Sequence, residues 1–218
     1  RQRQMCIRDR PMTIDEQIAN LKNIGLIVSD EAYARKILND ISYFRLIKAY
    51  SLNLKQKNGC YNADTTFEEI VSLYLFNANF RQLVFPQIEK VEINVRCRVS
   101  NYFAEQYGAL GYLQCENFAD DIYHSEFLND MRLEIGRNSK SPFVRNFREH
   151  YEGGKLPIYA IVELFSFGTL SKFYKNMINK DKKAVAKTFG VGYTYFESWL
   201  ESIAYVRNIC AHYGRLYN

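Results

Sequence analysis

"TYFESWLESIAYVRNICAHYGRLYN", residues Thr194–Asn218, is the stretch on which the fold class turns. Thr194 followed three residues later by Glu197 is a capping box and predicts a helix start. At about 100° per residue, Phe196, Trp199, Leu200, Ile203, Val206 and Cys210 share one stripe, the expected core face. Asn208, His212 and Arg215 recur at i, i+4 and i+7 on the opposite side, so the Asn208 amide is expected to hold the His212 ring. Arg207 is expected near the edge of the apolar stripe, where a charge must be paired or must reach out along its own stem. Gly214 is the expected helix stop.

The same helical grammar runs through the rest of the chain. Thr13 and Glu16 form a capping box that opens a helix to about Asn23, with Gly25 as its stop. Asp30 is placed to cap a second helix carrying Tyr33, Ile37 and Leu38. A third is expected from about Ile41 through Phe44, Ile47 and Leu54, and Asn58-Gly59 marks a turn. Thr65 and Thr66 before Glu68 and Glu69 open a helix that Pro86 is expected to break. Its successor carries Ile88, Val91, Val95, Val99 and Phe103, with Glu92 and Arg96 paired on the solvent side, and ends at Gly108 and Gly111. Residues 117 to 138 read as helix, and Pro142 opens a shorter one to Tyr151. In "LPIYAIVELFSFGTLSKFYKNM" (Leu156–Met177) two helices are expected on either side of a break at Gly168. No convincing period-2 strand or internal repeat is present, which predicts an all-α bundle.

Composition narrows the function classes. The 218 residues are 47% hydrophobic and 15% aromatic, enough for a sizeable core. A formal charge of +5 permits an anionic partner such as nucleic acid without demanding one. No apolar run approaches the roughly 20 residues of a membrane span, so no membrane is expected as a partner. The five cysteines are scattered, with no CxxC pair, and together with the lack of a signal pattern point to the reducing cytoplasm. No G-x-S-x-G, no Gly-rich phosphate loop and no paired metal ligands occur, so neither a metal nor another cofactor is expected.

Both ends of the chain stand apart. "RQRQMCIRDR" is charged and unpatterned, and its "MCIRDR" resembles translated sequencing-adapter sequence. Residues 1–11 are therefore expected to be a non-native or disordered extension, with Met12 as the start; a basic arm touching RNA is the alternative. Residues 12–218 are expected to form one α-helical domain, truncated at its C-terminus.

The chemistry-bearing residues are those that close the terminal helix. Guanidinium grips phosphate through parallel hydrogen bonds, and imidazole exchanges protons near neutral pH. Arg207 and His212 together suit cleavage of RNA by its own 2′-hydroxyl, His212 moving protons and Arg207 stabilising charge on the phosphorus centre. Arg-x4-His alone is a weak pattern, since "RNFREH" (Arg145–His150) also fits it. The plainer readings are a histidine placed favourably at a helix C-terminus and an arginine in a structural ion pair, with Glu163 as its candidate partner.

"VRNICAHYGRLYN" (Val206–Asn218) closely resembles the signature of Abi-like proteins, the abortive-infection family of AbiD/AbiF type. "LPIYAIVELFSFGTLSKFY" (Leu156–Tyr174), "LNDISYFRLIKAY" (Leu38–Tyr50) and "FRQLVFPQIEKVEINVR" (Phe80–Arg96) resemble further landmarks, extending the likeness over about residues 13 to 218. The family is grouped with HEPN ribonucleases. The resemblance implies an all-α bundle of HEPN type with an N-terminal helical extension. It also implies a metal-independent endoribonuclease acting in phage defence or as the toxin of a toxin–antitoxin pair. Arg207 and His212 take the catalytic positions, with Asn208 the polar residue after the arginine, while Arg215 and Tyr213 become candidate RNA-binding residues. Arg145 and His150 fall outside the motif. Some HEPN toxins carry a modifiable tyrosine two residues after the histidine; here that position is Gly214. The expected partners are an RNA substrate, a second copy of the chain and an antitoxin of RNA or protein. The competing reading is a non-catalytic helical module that binds RNA or protein.

Overall fold

A computed structural model describes residues 11–217. The expectation for the N-terminal extension therefore lies outside the described residues, apart from Pro11. Helices account for most of what is described; the only β pairing there is in isolated bridges, such as Ile27 with Thr66. The fold is all-α. The helices are α1 (Ile14–Asn23), α2 (Glu31–Asp40), α3 (Phe67–Tyr107), α4 (Asp121–Arg137), α5 (Pro142–His150), α6 (Ile158–Ile161), α7 (Phe167–Asn176), α8 (Asn179–Lys187) and α9 (Tyr193–Ala211). No helix among the described residues is long and apolar enough to cross a membrane.

The chain divides into two compact units: residues up to Gln82 together with the final segment from Arg215, and Leu83–Gly214. In the first, α1 begins with the predicted capping box, in which the Glu16 amide donates to Thr13 Oγ1 and the Thr13 amide to Glu16 Oε2. Asp30 caps α2 by accepting from the Tyr33 amide at 2.9 Å. Ile18, Leu21, Ala34, Leu38, Leu46, Ile47, Phe67 and Ile70 form the core. The expected third helix is present as a short helical stretch over residues 43–50, most of it a π-turn at Phe44–Lys48, followed by a 3₁₀ turn at Leu52–Leu54. Phe44, one of the apolar residues named for this helix, is 77% exposed. Leu46 and Ile47 of the π-turn enter the core.

The final segment returns to this unit. Asn77, fully buried on α3, donates to Tyr50 Oη at 2.7 Å and accepts from the Leu216 amide at 2.8 Å. The Tyr217 ring meets Phe76 edge-on at 5.7 Å. A polar side chain at a core position of a helix is costly unless its donors and its acceptor find partners, and here the final segment supplies the donor for the amide oxygen.

Pro86 does not break α3, contrary to the expectation. The helix runs unbroken for 41 residues with the proline inside. Proline forfeits one i→i−4 bond and crowds the carbonyl four residues back. That loss is outweighed because buried side chains anchor the helix on both sides: Ile70 and Val71 before it, Val95, Val99 and Phe103 after it. The carbonyl left without its helical donor is that of Gln82, where the two units divide.

In the second unit, α3 contributes Val95, Val99 and Phe103 to a core completed by Met131, Ile158, Ile161, Leu170, Phe173, Tyr174, Phe196 and Leu200. Phe103 packs edge-on against Phe173 at 5.1 Å. The expected break at Gly168 lies two residues earlier. Phe165 and Ser166 are extended, and Ser166 caps α7 by accepting from the Thr169 amide at 3.0 Å; Gly168 is inside the helix. Helix α8 was not distinguished in the sequence, because its lysines blur the apolar period. Helix α9 starts one residue before Thr194 with Gly192 at the cap, so the expected capping box is not used. Glu197 instead pairs with Lys182 at 3.0 Å.

Candidate active site at the end of helix α9

The buried face of α9 is set by Phe196, Leu200, Ala204 and Cys210. Arg207 falls within this face, between Ala204 and Cys210, and not at its edge. Trp199, expected in the core, is 51% exposed. The true stripe is centred further round the helix, where α7 and α8 pack against it.

Arg207 is held by Glu92 of α3. Arg207 Nε lies 3.6 Å from Glu92 Oε2, while Glu92 Oε1 accepts from Arg96 Nη2 at 2.8 Å. Arg96 Nη2 also donates to the Phe165 carbonyl at 2.8 Å, in the extended bend before α7. The partner is thus Glu92, not Glu163, which is exposed. Glu92 and Arg96 do pair at i,i+4 as expected, but each is only 13% exposed, so the pair is not on the solvent side. One carboxylate faces two guanidiniums, and the cluster keeps a net positive charge. Arg207 Nε and Arg96 Nε are buried without a hydrogen-bond partner among the described residues. The Arg207 side chain is 31% exposed, so part of its guanidinium reaches solvent.

His212 is the C-cap of α9 and is exposed. Its amide donates to the Asn208 carbonyl at 3.0 Å. The expected contact from the Asn208 side chain to the imidazole is not made; both side chains are exposed, with no side-chain hydrogen bond among the described residues. Tyr213 then takes a left-handed φ of 57° and donates to the Cys210 carbonyl, and Gly214 donates to the Ile209 carbonyl at 2.8 Å. This pair of bonds is a Schellman motif with tyrosine where glycine is usual. Gly214 beside it leaves little room for a side chain, since a Cβ there would lie 3.0 Å from Ile209 Cγ2 and push that side chain aside. The helix therefore stops at Ala211, earlier than the glycine suggested.

That early stop separates Arg215 from the helical face on which it was placed. Arg215 belongs to the first unit, where its Nη1 donates to the Ala49 carbonyl at 2.8 Å and its guanidinium lies 5.6 Å from the Tyr217 ring centre. Of the expected RNA-binding pair, Tyr213 is exposed next to His212, and Arg215 is engaged with the backbone elsewhere. The second Arg-x4-His, on α5, is a surface feature. Arg145 sits 4.0 Å from Glu149, and His150 Nδ1 lies 3.0 Å from the Asn146 carbonyl. His124, the remaining histidine, is buried, with Nε2 2.9 Å from the Tyr112 carbonyl and its ring stacked on Phe118. Among the described residues no three His, Cys, Asp or Glu side chains are grouped to hold a metal ion.

Glu92 and Arg96 are the site residues that sequence reasoning missed. Their i,i+4 pairing was legible. What was not is that the pair lies under Arg207, which needs the packing of α3 beside α9.

These features define an all-α protein whose last helix presents a charge-held arginine and an exposed histidine cap. The chain belongs to the Abi-like protein family, whose family model matches residues 36–218. That match begins later than the resemblance read from the sequence, which started at about residue 13. No curated protein and no solved structure matches the chain significantly.

Proposed function

We propose that this Abi-like protein is a metal-independent endoribonuclease of HEPN type, acting in phage defence by abortive infection or as the toxin of a toxin–antitoxin pair in the cytoplasm. The observation that carries the reading is the pairing, on one helix end, of a partly exposed Arg207 in a net-positive cluster with an exposed His212. The Arg207 guanidinium meets a phosphate oxygen, while His212 carries the proton of the 2′-hydroxyl or of the leaving 5′-oxygen. Glu92 orients the guanidinium without neutralising the cluster, because Arg96 shares the same carboxylate. Asn208 acts toward the RNA and not toward the imidazole.

In-line attack wants one proton acceptor and one proton donor, and a single α9 terminus supplies one histidine. A homodimer that brings two such termini to one phosphate supplies both. The reading is tested by incubating bulk RNA with the protein in EDTA. It expects cleavage with 2′,3′-cyclic phosphate ends, and an intact RNA pool refutes it.

The engagement of Arg207 by Glu92 favours a second reading, in which the arginine is structural and the protein is a non-catalytic helical module that binds RNA or protein. Arg207→Lys separates the two. A structural ion pair tolerates lysine, whereas a guanidinium that grips phosphate bidentately does not.

A further inference from the structure

The outer face of α8 is positively charged and uncompensated. Lys180, Lys183 and Lys187 recur at i, i+3 and i+7, are exposed, and make no ion pair among the described residues. Arg98 of α3 joins them at the end of this helix. Its Nη1 donates to the Thr188 carbonyl, and its guanidinium lies 4.3 Å from the Phe189 ring centre. Lys183 Nζ lies 5.5 Å from the ring centre of Tyr193.

The acids these elements carry do not neutralise the face. Asp181 is 1% exposed on the inner side of α8, accepting from Tyr102 at 2.8 Å and Tyr107 at 2.6 Å. Glu197 is taken by Lys182 at 3.0 Å. Glu105 of α3 is exposed and makes no ion pair with these lysines among the described residues.

A lysine-rich helix face is ordinarily just a solvated surface. Two features set this one apart. Its cations make no ion pair with the acids of the same helices among the described residues, and aromatic rings lie beneath two of them, the mixture that suits a nucleic-acid strand. A membrane-surface helix would instead show large apolar side chains for insertion beside its lysines, and none of the exposed large hydrophobic residues lies on α8. Lys180 to Lys187 spans about 10 Å at about 1.5 Å per residue, a length that addresses more than one phosphate.

We propose that the outer face of α8, with Arg98, is a backbone-binding surface for single-stranded RNA, separate from the α9 terminus, that holds the strand while the terminus acts on it. This rests on the reading of RNA as the substrate, but binding is measured apart from cleavage. The probe is a fluorescein-labelled 2′-O-methyl 20-mer, which has no 2′-hydroxyl to attack and so reports binding alone. Its anisotropy is followed with wild-type protein, with K180Q/K183Q/K187Q, and with K36Q/K48Q/K57Q, which removes equal charge from exposed positions elsewhere.

Each phosphate contact contributes about 0.7 to the slope of log affinity against log salt for a single strand. The α8 triple variant is expected to bind at least 10-fold more weakly at 100 mM salt, with a slope smaller by about 2, while the control triple tracks wild type. Equal losses in both triples, or no binding by wild type, overturn the proposal. So does a loss of binding to phosphatidylglycerol vesicles with none to the oligonucleotide. A protein that binds through α8 yet never cleaves unmodified RNA refutes the ribonuclease reading and leaves this surface standing.

Discussion

Arg207 approaches Glu92 at 3.6 Å, and the same carboxylate accepts from Arg96 at 2.8 Å, so one acid holds two arginines. Removing the shared acid leaves two guanidiniums facing each other in a largely buried place. Breaking such a pair from one side costs about 3 kcal/mol. Glu92→Gln is expected to lower the urea midpoint accordingly. Arg207→Ala leaves the Glu92–Arg96 bond intact and is expected to cost less. A larger loss in Arg207→Ala would mean that the arginine, and not the acid, is the keystone of the cluster.

Alkaline pH should destabilise the fold through its buried and half-buried phenols. Burial, then the hydrogen bond to Asp181, pushes Tyr107 up to about 12, and burial alone pushes Tyr112 up to about 12. Tyr102 and Tyr174 are raised in the same direction, chiefly by burial. The ordinary phenol value is about 10. Above it the unfolded chain sheds protons that the folded chain retains, so stability is fully present below pH 10 and is lost as pH rises toward 12. Urea midpoints measured between pH 9 and 12 are expected to fall, and the fall should shrink in Tyr112→Phe. A flat profile would show that these phenols titrate normally.

The homodimer proposal is tested by dilution. Specific activity per chain is expected to drop in step with the dimer fraction seen by sedimentation of the same samples. Activity that stays constant well below the monomer–dimer midpoint would show that one α9 terminus suffices.

The elements legible in the sequence were those specified locally. The Thr13 and Asp30 caps of α1 and α2 bond as their residue types dictate. The misplaced ones were decided by packing. Pro86 looked like a break because its cost is local, while the anchors that outweigh it, Ile70 and Phe103, act only through their burial in the core. Trp199 looked like core because it lies within about 60° of Phe196 on the helix. Only the position of α7 and α8 shows which side of that arc is covered. At the site, Arg207 and His212 were nameable from one motif. The Glu92 partner lies over a hundred residues earlier in the chain, and the release of Arg215 follows from the left-handed turn at Tyr213.

The central claim is that His212 moves protons during RNA cleavage. His212 is exposed at the end of α9, so His212→Ala is expected to keep the wild-type urea midpoint. Cleavage of RNA in EDTA should fall by about 10²-fold or more, the usual cost of losing a general acid–base. His150→Ala, exposed on α5, is the matched control and should cut at the wild-type rate. A well-folded His212→Ala that cleaves as fast as His150→Ala would contradict the account.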